Sequence, residues 1–155
     1  MKKFFLLCFL LIISICAFAE SSSFPKDEAV INTLMDNWHK AGSNNTDVKV
    51  YLDTLADDVT LRGTDISERM NKKQIQEWLK KHTLTEFKPT TRNIYFSHDG
   101  KIAWVDEVLS SPQYWTARGM TILEKINGQW KICFSSNTFS VPNAAIPSIQ
   151  PIIYK

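Results

Sequence analysis

The residues best suited to chemistry are two adjacent carboxylates, Asp106 and Glu107, set in an otherwise apolar run between Ala103-Trp104-Val105 and Val108-Leu109. Successive side chains of a strand point to opposite faces, so one of the two is directed inward. A carboxylate among apolar neighbours must be paired, hydrogen-bonded or neutral. On the next strand Arg118, Met120 and Ile122 alternate on one face, which makes Arg118 the expected partner of Glu107. Such a pair is either a functional acid with its cation, Glu107 then being the candidate general base, or a structural ion pair in the core or at an interface.

A second constellation is the polar loop at residues 64–69, which holds Asp65, Ser67, Glu68 and Arg69. Loops on rigid scaffolds often carry function, so Asp65 is a second candidate base and Arg69 a candidate ligand contact. The alternative is local turn chemistry, with Asp65 and Ser67 holding backbone amides and Glu68 bridging Arg69. Trp38, Tyr51, Trp78 and Trp104 fall on expected core-facing stripes, where aromatics either wall a pocket for a flat apolar ligand or simply fill the core. Trp115 and Trp130 are candidates for an interface. His39, His82 and His98 have no ligand spacing with one another or with Cys133, so no metal site is expected. His39 reads either as facing a pocket beside Trp38 or as a helix-surface residue. No phosphate loop, dinucleotide fingerprint or nucleophile elbow occurs, and no cofactor is expected.

The elements that must position these residues are legible from periodicity. Val30, Ile31, Leu34, Met35 and Trp38 recur at helical spacing between Pro25 and Gly42, and Val48, Tyr51, Leu52 and Leu55 repeat the pattern over a shorter length, with Asn45 or Thr46 as cap. Residues 59–62 alternate as a strand. Asn71 and Gln74 form a capping-box pattern before a third helix carrying Ile75, Trp78, Leu79 and His82 on one face. Residues 92–97 and 102–109 flank Asp99-Gly100, and residues 116–126 and 129–139 flank Asn127-Gly128, which are strong hairpin signals. Cys133 sits in this strand pattern as an inert, buried thiol. Three helices and an antiparallel meander predict an α+β fold: a cone-shaped barrel with helices on one face of a strongly curved sheet, and a pocket at its open end.

Composition bounds the partners. Lys2-Lys3, an apolar stretch to Phe18 and the small-x-small pattern at Ala17 and Ala19 read as a cleaved secretory signal over residues 1–19. The expected organisation is that signal, a short leader over 20–24, one domain over 25–143 and a proline-containing, irregular tail over 144–155. Loss of Lys2 and Lys3 from the 18 basic residues balances the 16 acidic ones. A neutral domain lacks the basic footprint of nucleic-acid binders. Cys8 and Cys16 leave with the signal, so Cys133 stands alone and no internal disulfide is expected. The chain is expected to be exported, periplasmic or secreted, and free of the membrane after cleavage.

Taken together, these motifs resemble the SnoaL-like branch of the nuclear transport factor 2-like superfamily. The resemblance rests on Asp36-Asn37-Trp38-His39-Lys40-Ala41, the run from Leu55 through Asp65, Glu68-Arg69, Ile102 through Leu109, Arg118-Gly119, Asn127-Gly128-Gln129-Trp130-Lys131-Ile132 and Val141-Pro142-Asn143. It implies the cone-shaped fold and commonly a homodimer formed through the sheet. It does not imply one activity, because the superfamily holds isomerases, dehydratases, hydrolases, cyclases and non-catalytic binding domains. It also marks the position six after Trp130, a histidine in many relatives, which is Ser136 here; no proton transfer is expected from it. The expectation is a small, mostly apolar ligand bound among Trp38, Tyr51, Arg69, Trp104, Glu107, Arg118 and Ser136. The alternatives are an isomerase, dehydratase or cyclase using a pocket carboxylate, with Arg118 or Tyr51 stabilising developing charge, and an assembly domain.

Overall fold

In the computed structural model, which describes residues 24–153, helices pack on one face of a curved six-stranded sheet. The proposed signal over 1–19 and all of the leader except Phe24 lie outside the described residues. The elements are α1 (Pro25–Gly42), α2 (Val48–Asp53), β1 (Leu55–Arg62), β2 (Arg69–Met70), α3 (Lys72–Trp78), β3 (Lys88–Phe96), β4 (Ile102–Ser111), β5 (Trp115–Ile126), β6 (Gln129–Phe139) and α4 (Ile146–Ile153). Strand order is β2-β1-β6-β5-β4-β3, antiparallel throughout except for the parallel β1–β6 pair.

Local chemistry explains the boundaries. Pro25 opens α1 at a position whose N–H has no helical partner, and the Asn71–Gln74 capping box starts α3 with both reciprocal bonds made. Asp47, rather than Asn45 or Thr46, caps α2 by accepting from the Val50 N–H at 3.0 Å. Asn44 and Asn45 are instead spent on the connecting turn, both with positive φ. The helical repeat over 48–55 stops at Asp53, because Leu55 and Ala56 already belong to β1. The tail is not irregular: Ile146–Ile153 is a helix.

The core lies between the helices and the inner sheet face. Ile31, Met35 and Trp38 of α1 bury against Val105, Leu123 and Ile132, with Tyr51, Leu55, Val59 and Ile75 closing the sides. Each fully buried aliphatic side chain contributes about 1.5–3 kcal/mol, so α1 is held as the sheet's cover rather than by its own propensity.

One irregularity sets which residues face inward. Ile122 pairs with Phe134 and Leu123 with Ile132, so Cys133 is an extra, unopposed residue on β6. The bulge reverses parity: Trp130 and Ile132 face the core before it, and Ser135 after it. The Cys133 thiol donates to the Ile122 carbonyl, and burial pushes its pKa up, in keeping with an inert thiol.

Candidate functional site

Strand register builds the floor of the site. Arg92 of β3 lies opposite Glu107 of β4, Glu107 opposite Gly119 of β5, and Gly119 opposite Asn137 of β6. This polar row crosses the inner face beneath α1. Space at its centre is tight: a Cβ on Gly119 would sit 3.0 Å from Leu109 Cδ1 and 3.2 Å from Asn137 Oδ1, so both side chains would have to shift.

Glu107 is 1 % exposed, and both of its oxygens are engaged. Arg92 Nε donates to Oε1 at 2.7 Å, and His39 Nε2 bonds Oε2 at 2.8 Å. Arg92 also reaches back to α1, where Nη1 bonds the Asn32 carbonyl and side chain at 3.2 Å and Asp36 Oδ1 at 2.8 Å. Burial pushes the Glu107 carboxyl upward, but His39 and then Arg92 outweigh it and hold it below the usual carboxylate range. Glu107 is therefore an ionised, saturated carboxylate, without the raised pKa that suits a general base near neutral pH. It fixes the ring of His39, whose Nδ1 carries no hydrogen bond among the described residues.

Above this row lies a cavity of about 80 Å3 lined by Trp38, His39, Tyr51, Leu84, Phe87 and Asn137, among others. An adjoining cleft of about 330 Å3 shares Leu84, Thr85, Phe87 and Asn137 with it and adds Trp78, His82, Gln113 and Tyr114. The Trp38 and Tyr51 rings stack at 5.4 Å, and burial raises the Tyr51 phenol far above its ordinary value. The inner chamber is about half the size of an engineered cavity of about 150 Å3 that holds benzene, and the two spaces meet along their shared wall.

The expected site residues separate into three groups. Trp38 and Tyr51 line the inner cavity, and Glu107, the inward member of its pair, lies in the polar row behind His39. Trp104 and Arg118 face the opposite side of the sheet: Trp104 stacks on Tyr95 at 5.6 Å, and Arg118 is exposed beside Thr138. The expected Glu107–Arg118 pair is thus not formed, because the inward residues of β5 are Ala117, Gly119, Thr121 and Leu123. Arg69 and Ser136 line a third pocket at the far end of β1, outside the cavity; the bulge at Cys133 turns Ser136 out and leaves Asn137 at the site.

Asp65 is exposed, and its Oδ1 accepts from the Ser67 N–H and hydroxyl, which holds its pKa down. It is a turn residue rather than a base. Glu68 bonds the Asp65 N–H at 3.1 Å and makes no bridge to Arg69. Trp130 is core and donates to Asp27 at 2.9 Å, so it is no interface residue. Arg92 and Asn137 were not foreseen, and the surface alternative for His39 is overturned. Counting outward from Asp99-Gly100 does place Arg92 opposite Glu107, a signal the sequence contained. Among the described residues no group of three His, Cys, Asp or Glu side chains is placed to hold a metal, and no helix is long and apolar enough to cross a membrane.

Helices covering a curved, mainly antiparallel sheet, with a polar row on its inner face, define a nuclear transport factor 2-like α+β domain. The fold is shared with a nuclear transport factor 2-like protein of unknown function from Pseudomonas putida (TM-score 0.62, 14 % identity, covering 76 % of this chain and 89 % of that one). It is shared also with one from Cytophaga hutchinsonii (TM-score 0.60, 20 % identity, 73 % and 98 %) and with a putative ketosteroid isomerase from Parabacteroides distasonis (TM-score 0.57, 16 % identity, 72 % and 86 %). Within that class the chain belongs to the SnoaL-like domain family, whose profile matches residues 31–143. No functionally curated protein matches its sequence.

Proposed function

We propose that this is an exported SnoaL-like domain that binds a small, mostly apolar ligand, one end of which enters the cavity between Trp38, Tyr51 and Phe87, without carboxylate catalysis. The observation that carries this reading is the saturation of Glu107 by His39 and Arg92, directly behind an aromatic-walled cavity. Titration of the purified domain with indole, p-cresol and octan-1-ol, followed by thermal shift and by NMR shifts of the cavity residues, is expected to show saturable binding. Leu84→Trp, which fills the shared wall, is expected to remove it. Absence of saturable binding by all three probes, or binding untouched by Leu84→Trp, rejects the proposal.

A second reading is favoured by His39. Its Nε2 is fixed by an anchored carboxylate while the ring lines the cavity, an arrangement suited to proton transfer in an isomerase, dehydratase or cyclase. Solvent deuterium exchange into 2-cyclohexenone that is catalysed by the protein and lost in His39→Gln supports this reading; exchange at the buffer rate rejects it. A homodimer through the outer sheet face is supported by the exposed Tyr95, Ile102, Trp104 and Val108, and a strict monomer in analytical ultracentrifugation rejects it. Export is supported by the signal-like first 19 residues and predicts a mature N-terminus at Glu20.

A further inference from the structure

At the β1–β2 end of its outer face the sheet carries a pocket whose two arginines, among the described residues, are not ion-paired with the two acids that share its lining. Arg62 and Arg69 are direct cross-strand partners on that short edge, and Arg62 is in register with Ser136 of β6. All three residues, with Thr64 and Thr138, line one pocket of about 430 Å3. Arg118, exposed on the same face, pairs across β5–β6 with Thr138. Like charges directly opposite on an antiparallel pair are destabilising. Here, among the described residues, neither Arg62 nor Arg69 makes an ion pair.

The two acids that also line this pocket are turned to the loop's own backbone. Glu68 Oε2 takes the Asp65 N–H, lying where a side chain on Gly63 would have to go, and Asp65 Oδ1 takes the Ser67 N–H and hydroxyl. Arg62 is held down by the Phe134 ring, its guanidinium carbon 5.8 Å from the centroid. A guanidinium presents paired N–H donors in a fixed fork that matches the two oxygens of a carboxylate or phosphate. Two such forks, with Ser136 and Thr138 in the same lining, make a concave surface rich in donors.

We propose that this pocket is a binding site for a small oxoanion, the carboxylate or phosphate group of a diffusible molecule, held between Arg62 and Arg69 and capped by Ser136 and Thr138. The site lies on the sheet face opposite the aromatic cavity and stands independently of the function proposed for that cavity. An anion placed there would relieve the repulsion between the two guanidiniums, so binding stabilises the fold.

The test is thermal unfolding and calorimetric titration of the mature domain with inorganic phosphate and, separately, sodium benzoate, each against sodium chloride at matched ionic strength. The expected result is a saturable rise in melting temperature with one or both oxoanions, and at least a tenfold weakening in Arg62→Gln and in Arg69→Gln. Both positions are exposed, so the variants fold; Arg62→Gln gives up the Phe134 contact, and Arg69→Gln is expected to melt no lower than wild type in anion-free buffer. Phosphate acting alone identifies a phosphate ligand, benzoate alone a carboxylate. The proposal is overturned if neither oxoanion exceeds chloride, or if the response survives in both variants.

Discussion

Replacing Arg92 by methionine isolates the energetic role of the buried charge row. The substitution retains much of the apolar stem and removes the 2.7 Å bond to Glu107 together with the Asn32 and Asp36 contacts that tie α1 to β3. Glu107, at 1 % exposure, keeps only His39 as partner. Removing one member of a buried ion pair typically costs about 3–5 kcal/mol, which for a domain of this size lowers the melting temperature by roughly 10–20 °C. The effect must also depend on pH. In wild type Glu107 is held below its ordinary value of about 4.5, so its contribution is present above that pH and is lost as pH falls through the folded value. Without the guanidinium, burial acts on a carboxylate with one partner fewer. Its pKa rises, and the penalty, full at pH 7, is relieved once the group protonates. The difference between wild type and Arg92→Met, measured by urea unfolding with tryptophan fluorescence, should therefore narrow from pH 7 to pH 4.5. A second variant, Arg92→Met with Glu107→Leu, should recover most of the loss, since an apolar pair replaces an ion pair at little cost. A pH-independent gap, or a loss below about 1 kcal/mol, would refute the reasoning.

Three further outcomes follow from particular contacts. Gly119→Ala inserts a methyl against Leu109 and Asn137 and is expected to cost about 1–3 kcal/mol; unchanged unfolding would show that the floor is looser than its geometry. Trp130→Phe should destabilise more than Trp38→Phe by about 2 kcal/mol, because the Trp130 N–H serves the Asp27 carboxylate while the buried Trp38 N–H has no partner; equal losses in chemical unfolding would contradict this. Asn71→Ala removes one half of the capping box and should cost about 1 kcal/mol, detectable as earlier hydrogen exchange in α3.

Much of the fold was legible because its signals are local. The Asp99-Gly100 and Asn127-Gly128 turns fixed two hairpins, and β6 falls on the residues that alternation gave it. The stripe Ile31, Met35 and Trp38 marked the buried face of α1, and Asn71 with Gln74 marked the start of α3. The candidate site was less legible where two faces look alike. On β5 both alternating sets, Arg118-Met120-Ile122 and Ala117-Gly119-Thr121-Leu123, are compatible with burial, and the outward set is the more hydrophobic to the eye. The inward set is small because α1 and the polar row occupy the space above it.

The sequence by itself determined the class of fold, the helices and hairpins that carry it and the fact that one of Asp106 and Glu107 points inward, since hydrophobic period and turn chemistry act over a few residues. Only the tertiary structure decided what Glu107 meets. Docking of α1 over β4 brought His39 to one oxygen, and β3 placed Arg92 at the other. One extra residue at Cys133 exchanged Ser136 for Asn137 at the site. These are consequences of packing and register, which no single stretch of chain encodes alone.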